Sequence, residues 1–131
     1  MTNFFSKYKV IFFVINFILI FLYLFPGSFI GFLVYDNKQI QPQITVDFII
    51  SSNHFYTFTL ISIIGLLSYS KSKQLKFLIF YLVFLSIILE VFHLIIPYRS
   101  FEWSDLFGNF FGVIIVLFIN NLINKYGIFK K

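Results

Sequence analysis

The 131-residue chain contains no cysteine and no alanine, three prolines, a single arginine and few charges of either sign. Without cysteine there are no disulfides, thiolate metal ligands or cysteine nucleophiles, and redox chemistry gives no indication of compartment. Without alanine, an Ala-x-Ala cleavage site cannot be written. The apolar run behind Lys7 and Lys9 is therefore expected to be a retained helix rather than a cleaved signal. Charged residues make up only 11% of the chain, against roughly a quarter in soluble domains. A large core cannot account for the deficit, because a chain this short exposes much of its surface. Lipid is the expected solvent for most of that surface.

What the chain does contain agrees with this. It is 60% hydrophobic and 24% aromatic, with a mean hydropathy of +0.93. The abundance of Phe, Ile, Asn and Lys beside the missing alanine points to an AT-rich, bacterial coding sequence. The net charge of +5 would suit nucleic acid. The basic residues, however, sit at the ends of apolar segments and form no patch among polar neighbours, which excludes that partner and indicates membrane topology.

Four apolar runs, at approximately 8–26, 51–70, 76–96 and 105–123, approach the length of about 20 residues that a spanning helix needs. Pro26-Gly27-Ser28 stops the first. There are no repeats, heptads or linkers, so residues 1–131 read as one all-α domain, a four-helix transmembrane bundle. All basic residues except Lys38 and Arg99 fall on one side of that topology. The acids Asp36, Asp47, Glu90, Glu102 and Asp105 fall on or towards the other. The positive-inside rule then predicts a multi-pass cell-membrane protein with both termini cytoplasmic and outer loops at about 27–52 and 97–104. The apolar stretch Phe29–Tyr35 is expected to lie in the interface or to extend the first hairpin, and Pro42 with its flanking glutamines marks a turn.

The polar residues of the second half gather at one depth. Glu90 and His93, at i and i+3, share a face near the outer end of the third helix, which Pro97 is expected to end. Glu90 lies about 9 Å below Ile96. A charged carboxylate there costs on the order of 1–3 kcal/mol, so it should point into the bundle, protonated or paired. Arg99 falls in the outer turn, Ser104 or Asp105 offers an N-cap to the fourth helix, and Asp105, Asn109 and Gly112 form one stripe on it. His54 opens the second helix, with Ser51 and Asp47 on the same face if that helix extends back. Plainer readings stand beside these. Asp105 and Ser104 serve as caps, Arg99 closes the hairpin on Glu90 or Asp105, and Gly112 is a packing residue. Tyr98 and Trp103 are interfacial aromatics, and Lys71, Lys73 and Lys76 are topology signals.

Glu90-x-x-His93 matches half of a di-iron bundle motif, and its second half is missing. A mononuclear centre from His54, Glu90, His93 and Asp105 has suitable ligand types. Spacing adds nothing beyond shared depth, and no metal or cofactor is expected. Acid–base chemistry on a lipid-linked substrate could use Glu90 with a histidine, but no nucleophile is visibly placed. A site for a polar headgroup asks least of the sequence, and its candidate ligand-binding residues are His54, Glu90, His93, Arg99, Asp105 and Asn109.

These residues resemble the VanZ-like family of small bacterial membrane proteins, whose founder is associated with teicoplanin resistance. The family pattern has a histidine opening one helix, Glu-x-x-Gln near the end of the next, Pro-x-Arg-Ser, and then an Asp with Asn and Gly four and seven residues beyond. In this chain it runs through His54, Glu90, Pro97, Arg99, Ser100, Asp105, Asn109 and Gly112, over about residues 45–120. His93 stands where the family usually has Gln, and Ile50-Ser51 where Asp-Lys commonly precedes the histidine, which marks a divergent member. The expectation is an outward-facing polar pocket binding an amphipathic envelope ligand, either a lipid-linked wall precursor or a glycopeptide. The rivals are an enzyme acting on such a lipid and a structural subunit in which the polar cluster only locks helices.

Overall fold

A computed structural model describes residues 2–127, with side chains from Tyr8 onward. Lys130 and Lys131, and the side chain of Lys7, which entered the topology argument, lie outside the described residues. Five helices follow one another: α1 (Thr2–Leu24), α2 (Phe29–Tyr35), α3 (Ser52–Tyr69), α4 (Leu75–Phe92) and α5 (Trp103–Tyr126). There is no strand among the described residues.

Each break has a local cause. Pro26 supplies no N–H and disfavours helical geometry at Phe25, so α1 stops at Leu24. Gly27, at φ 82°, then turns the chain as a side-chain-bearing residue rarely does. Ser28 caps α2 by accepting a hydrogen bond from the Gly31 N–H at 2.9 Å. The apolar stretch 29–35 is thus a helix, bent by 79° from the axis of α1. The first turn of α3 is capped from a distance: Asp47 accepts from the Ser52 N–H at 2.8 Å, while Ser51, in the N-cap position, makes no side-chain cap. Helix α3 does not extend back to Asp47 and Ser51, so the continuous face expected with His54 is absent.

Two further boundaries differ from expectation. Helix α4 ends at Phe92 rather than near Ile96, because the chain beyond tightens into three-residue turns, with His93, Leu94 and Ile95 bonding the carbonyls of Glu90, Val91 and Phe92. His93 is therefore the C-terminal cap of α4 and not an interior residue. Helix α5 starts at Trp103 with Glu102 as its N-cap residue, so neither Ser104 nor Asp105 caps it, and Asp105 falls in the first turn. Its far end closes on Gly127, at φ 62°.

Among the described residues, α4 and α5 are long and apolar enough to cross a membrane, and the bent α1–α2 pair makes a third candidate. Helix α3 does not meet that test, although it was expected to span. Its sequence carries Ser52, Asn53, His54, Thr57, Thr59, Ser62 and Ser68. It can do so because it is the central helix, packed against α1, α4 and α5, with most of its polar side chains turned towards neighbours. Phe58, Ile61, Leu82 and Val113 are fully buried around it. Phe17, Phe77, Phe80 and Phe118 stand exposed on the outside, as lipid-facing residues do.

The most extensive contact is α3 on α5. It depends on Gly108 and Gly112, one turn apart: a Cβ on either would lie 2.7 Å from a backbone oxygen of α3 or its cap, that of Phe55 or of Ser51. Small residues four apart let helix backbones meet in this way. Asp105, Asn109 and Gly112 face the bundle as their spacing predicted, and Phe111 faces outward. Replacing Gly112 with Leu should destabilise by roughly 1–3 kcal/mol through overpacking. Phe111→Leu, on the exposed face, should change the unfolding midpoint in detergent little. The reverse order would mean that α5 turns Phe111, and not Gly112, towards α3.

Candidate functional site

At the ends of α1 and α4 and the starts of α3 and α5, six polar side chains meet. Glu90, in the last turn of α4, is fully buried. One carboxylate oxygen, Oε1, accepts from the Glu102 N–H at 3.1 Å, which places the acid at the positive end of α5. The other, Oε2, lies 3.2 Å from His93 Nδ1 and 3.9 Å from His54 Nδ1, yet makes a well-aimed hydrogen bond to neither. His93 Nε2 donates to the Tyr23 carbonyl at 3.0 Å, so its tautomer is settled by a partner that can only accept.

His54 occupies the centre. Its Nδ1 is 3.0 Å from Asn109 Oδ1 and 3.1 Å from the Tyr23 hydroxyl, and its Nε2 is 3.4 Å from Asp105 Oδ2. The Tyr23 hydroxyl donates to Asn109 Oδ1 at 2.7 Å. The Tyr23 ring is wedged between the two histidines, stacked on His93 at 5.8 Å and edge-on to His54 at 5.2 Å. One ligand-type atom from each of His54, Glu90 and Asp105 lies within 4.8 Å of the others, so a metal could bridge them. His93, held through Nε2, places its Nδ1 3.2 Å from Glu90 Oε2.

Arg99 was expected to pair with Glu90 or Asp105 or to await a ligand. It instead binds the exposed end of α1: Nη2 donates to the Leu22 carbonyl at 2.8 Å and Nε to that of Phe25 at 3.4 Å, while Nη1 reaches Gln41 Oε1 at 3.3 Å. These carbonyls have no helical partner because α1 has stopped. Burial pulls the guanidinium pKa below its ordinary value, opposed by the nearby Glu90 and Asp105 carboxylates.

Two cavities open beside the cluster. One, of about 220 Å³, is lined by polar side chains that include Lys38, His54, His93, Arg99 and Asp105. The other, of about 150 Å³, is walled by Leu19, Leu22, Phe29, Ile30 and Ile44. They share Ser28, Gln41, Asn53, His54 and Arg99. Of the six residues expected to bind a ligand, His54, His93, Arg99 and Asp105 therefore stand at the wall, and Glu90 and Asn109 stand behind it. Sequence reasoning missed Tyr23, Gln41 and Lys38. Tyr23 lies in the last turn before Pro26, where an aromatic passes for an interfacial anchor, and its spacing links it to nothing. Family models, curated proteins and solved structures gave no match to this chain.

Removing the carboxylate should cost more than removing the hydroxyl. Glu90→Leu strips the Glu102 N–H of its buried acceptor, at about 1–3 kcal/mol for the group left unsatisfied, and leaves a hole where the carboxylate packed. Tyr23→Phe leaves His54 and Asn109 bonded to each other and should cost about 0.5–1.5 kcal/mol. Glu90→Gln keeps the carbonyl that accepts from Glu102 and should fall between them. Equilibrium unfolding in detergent ranks the three, and a Tyr23→Phe loss above that of Glu90→Leu would refute this hierarchy.

Proposed function

We propose that this chain is a four-span cell-membrane protein with both termini cytoplasmic, a divergent relative of the VanZ-like family. Its outward-facing polar cavity takes the head of an amphipathic envelope ligand, and the adjoining apolar cavity takes the first part of the tail. The observation that carries this reading is the junction itself, a polar and an apolar cavity sharing His54, Arg99, Gln41, Asn53 and Ser28. Lys38 and Arg99, the two basic residues outside the cytoplasmic clusters, both line the polar side. Arg99 has N–H groups to spare beyond the three it uses. Together they suit an anionic head, and a guanidinium suits phosphate in particular.

Size favours one of the two expected ligands. The polar cavity, at about 220 Å³, is smaller than the roughly 300–1,000 Å³ of sites for drug-sized molecules. A lipid phosphate fits it, and a whole glycopeptide does not. A membrane setting also accounts for Ile44, Val46, Phe48 and Ile49, which stand 71–96% exposed between α2 and α3 and would rest in the headgroup interface. Shielding of α3 by its three neighbours makes its polar content compatible with a fourth span.

Topology is testable cleanly, because the chain has no cysteine of its own. Lys38→Cys should react with an impermeant maleimide in intact cells, and Lys73→Cys only after permeabilisation. Labelling of both from outside would overturn the orientation. For the ligand, the purified chain in detergent should retain a polyprenyl phosphate in native mass spectrometry and not the matching prenol. Arg99→Lys, checked for folded yield, should weaken retention about tenfold, the value of one charge-assisted hydrogen bond. Equal retention of phosphate and alcohol would rule out headgroup recognition. An enzymatic reading is favoured by one contact, the His54–Asp105 pair at the cavity wall, an arrangement suited to general acid–base work. It requires that Asp105→Asn abolish turnover of the lipid while leaving retention intact.

A further inference from the structure

The hydrogen bonds around His54 favour one tautomer. The Tyr23 hydroxyl gives its one hydrogen to Asn109 Oδ1. With Asn109 Oδ1 turned to the ring, both neighbours of His54 Nδ1 are placed to accept from it. In the tautomer with its hydrogen on Nδ1, the ring offers a lone pair at Nε2. That lone pair faces Asp105 Oδ2 at 3.4 Å, an acceptor against an acceptor. A positive species belongs between them, either a proton or a metal ion.

Glu90 extends the requirement. A proton on His54 Nε2 would serve Asp105 alone, and Glu90 Oε2, fully buried and without a hydrogen bond, would need a second one, shared with His93 Nδ1 at 3.2 Å. A divalent cation would serve both carboxylates and the imidazole at once. Arg99 gives its hydrogen bonds to the carbonyls of α1 and to Gln41, and to neither carboxylate. We propose that His54, Asp105 and Glu90 bind a divalent cation with the preferences of Zn²⁺, its open position facing the polar cavity.

The geometry suits that ion. Ligand atoms at zinc bond lengths of 2.0–2.1 Å in a tetrahedron lie about 3.4 Å apart. The His54–Asp105 pair already has that separation, and one ligand-type atom from each of the three residues lies within 4.8 Å of the others, with Glu90 Oε2 3.9 Å from the far ring nitrogen, Nδ1. Closure needs a shift of up to about 1.4 Å, small beside the reach of a glutamate whose Oε2 makes no hydrogen bond. The surroundings are those of a metal site as well. The His54 Nδ1–H is fixed by the Asn109 carbonyl oxygen, as outer-shell partners fix ligating groups, and His93 Nδ1 stands 3.2 Å from Glu90. Three ligands from three helices with one open position is the plan of sites where zinc meets a substrate rather than of closed structural ones. The site does not depend on the identity of the lipid.

The test uses the full chain in lipid-free detergent, its affinity tag removed, stripped with chelator and titrated with Co²⁺ and then Zn²⁺. One Co²⁺ per chain should bind with the visible absorption of a four-coordinate site, and Zn²⁺ should displace it and raise the unfolding temperature. Asp105→Asn, nearly isosteric and partly exposed, should abolish the absorption band. His93→Gln should keep the band while weakening affinity by about 10–100-fold, as the loss of an outer-shell partner does. Failure of the folded wild-type chain to take up either metal would overturn the proposal without recourse to any variant. Uptake unchanged in Asp105→Asn would overturn it equally. No lipid is present, so such a failure leaves headgroup binding untouched, and loss of lipid retention leaves the metal result standing.

Discussion

A carboxylate buried where four helices meet is the constraint from which the outer half of this protein follows. Glu90 is fully enclosed, and in a low-dielectric setting an acid that lacks partners costs several kcal/mol. The partners come from elements on either side. The start of α5 supplies a backbone N–H, the end of α4 supplies His93, and the start of α3 brings up His54. For Glu102 to reach Glu90, the chain after α4 must return over its own end. This explains the tight turns at residues 93–96 and the left-handed Tyr98, at φ 60°.

The second constraint is the unfinished end of α1. Pro26 halts the helix and leaves carbonyls that hydrocarbon cannot solvate. His93 and Arg99, both from the α4–α5 connection, bind the carbonyls of Leu22, Tyr23 and Phe25. One turn of chain therefore satisfies the negative end of α1 through its cation, while the positive end of α5 meets the acid of α4. Helix dipoles favour both placements. Why the only arginine stands at position 99 becomes clear. Its planar fork reaches two carbonyls and Gln41 at once, and a lysine, with a single ammonium, cannot span them.

The helices and the depth of the polar cluster are legible in the sequence because they follow from composition and period alone. Apolar runs of spanning length, Pro26-Gly27 and the spacing of Asp105, Asn109 and Gly112 each have a direct physical reading. What is not legible depends on contacts between distant segments. Tyr23 and Asn109 are 86 residues apart, and nothing in an apolar helix distinguishes a tyrosine that will hydrogen-bond a histidine from one that will meet water. Gly108 completes the close approach of α5 to α3, but beside Gly112 its role shows only once the partner helix is in place. The end of α4 is easily misplaced because Pro97 is an obvious stop, whereas the true end is set four residues earlier by the return of the chain to Glu90. Helix α3 has the sequence of an ordinary span interrupted by polar residues. Its serines are tolerated because Ser52, Ser62 and Ser68 are turned towards other helices, while Leu60, Ile63 and Leu67 stand on the exposed side.

Locking the helices is one role of this cluster, since it binds four elements together. It does not account for everything there. A network selected only to close a bundle gains by satisfying every member, because a half-satisfied one is worse than an apolar core. Yet Glu90 Oε2 and Asn109 Nδ2 are buried without hydrogen bonds, and a polar cavity is kept beside them where leucines would have packed. The division of roles is spatial. Glu90 and Asn109 stand behind the wall, His54, His93, Asp105 and Arg99 form it on the polar side, and Tyr23 lines the apolar cavity while bonding Asn109. Residues behind a wall fix the rotamers of those in it, which is how binding sites reach useful precision. A cluster that leaves one acceptor and one donor unsatisfied beside a cavity has the form of a site arranged for something positive, anionic or both to enter.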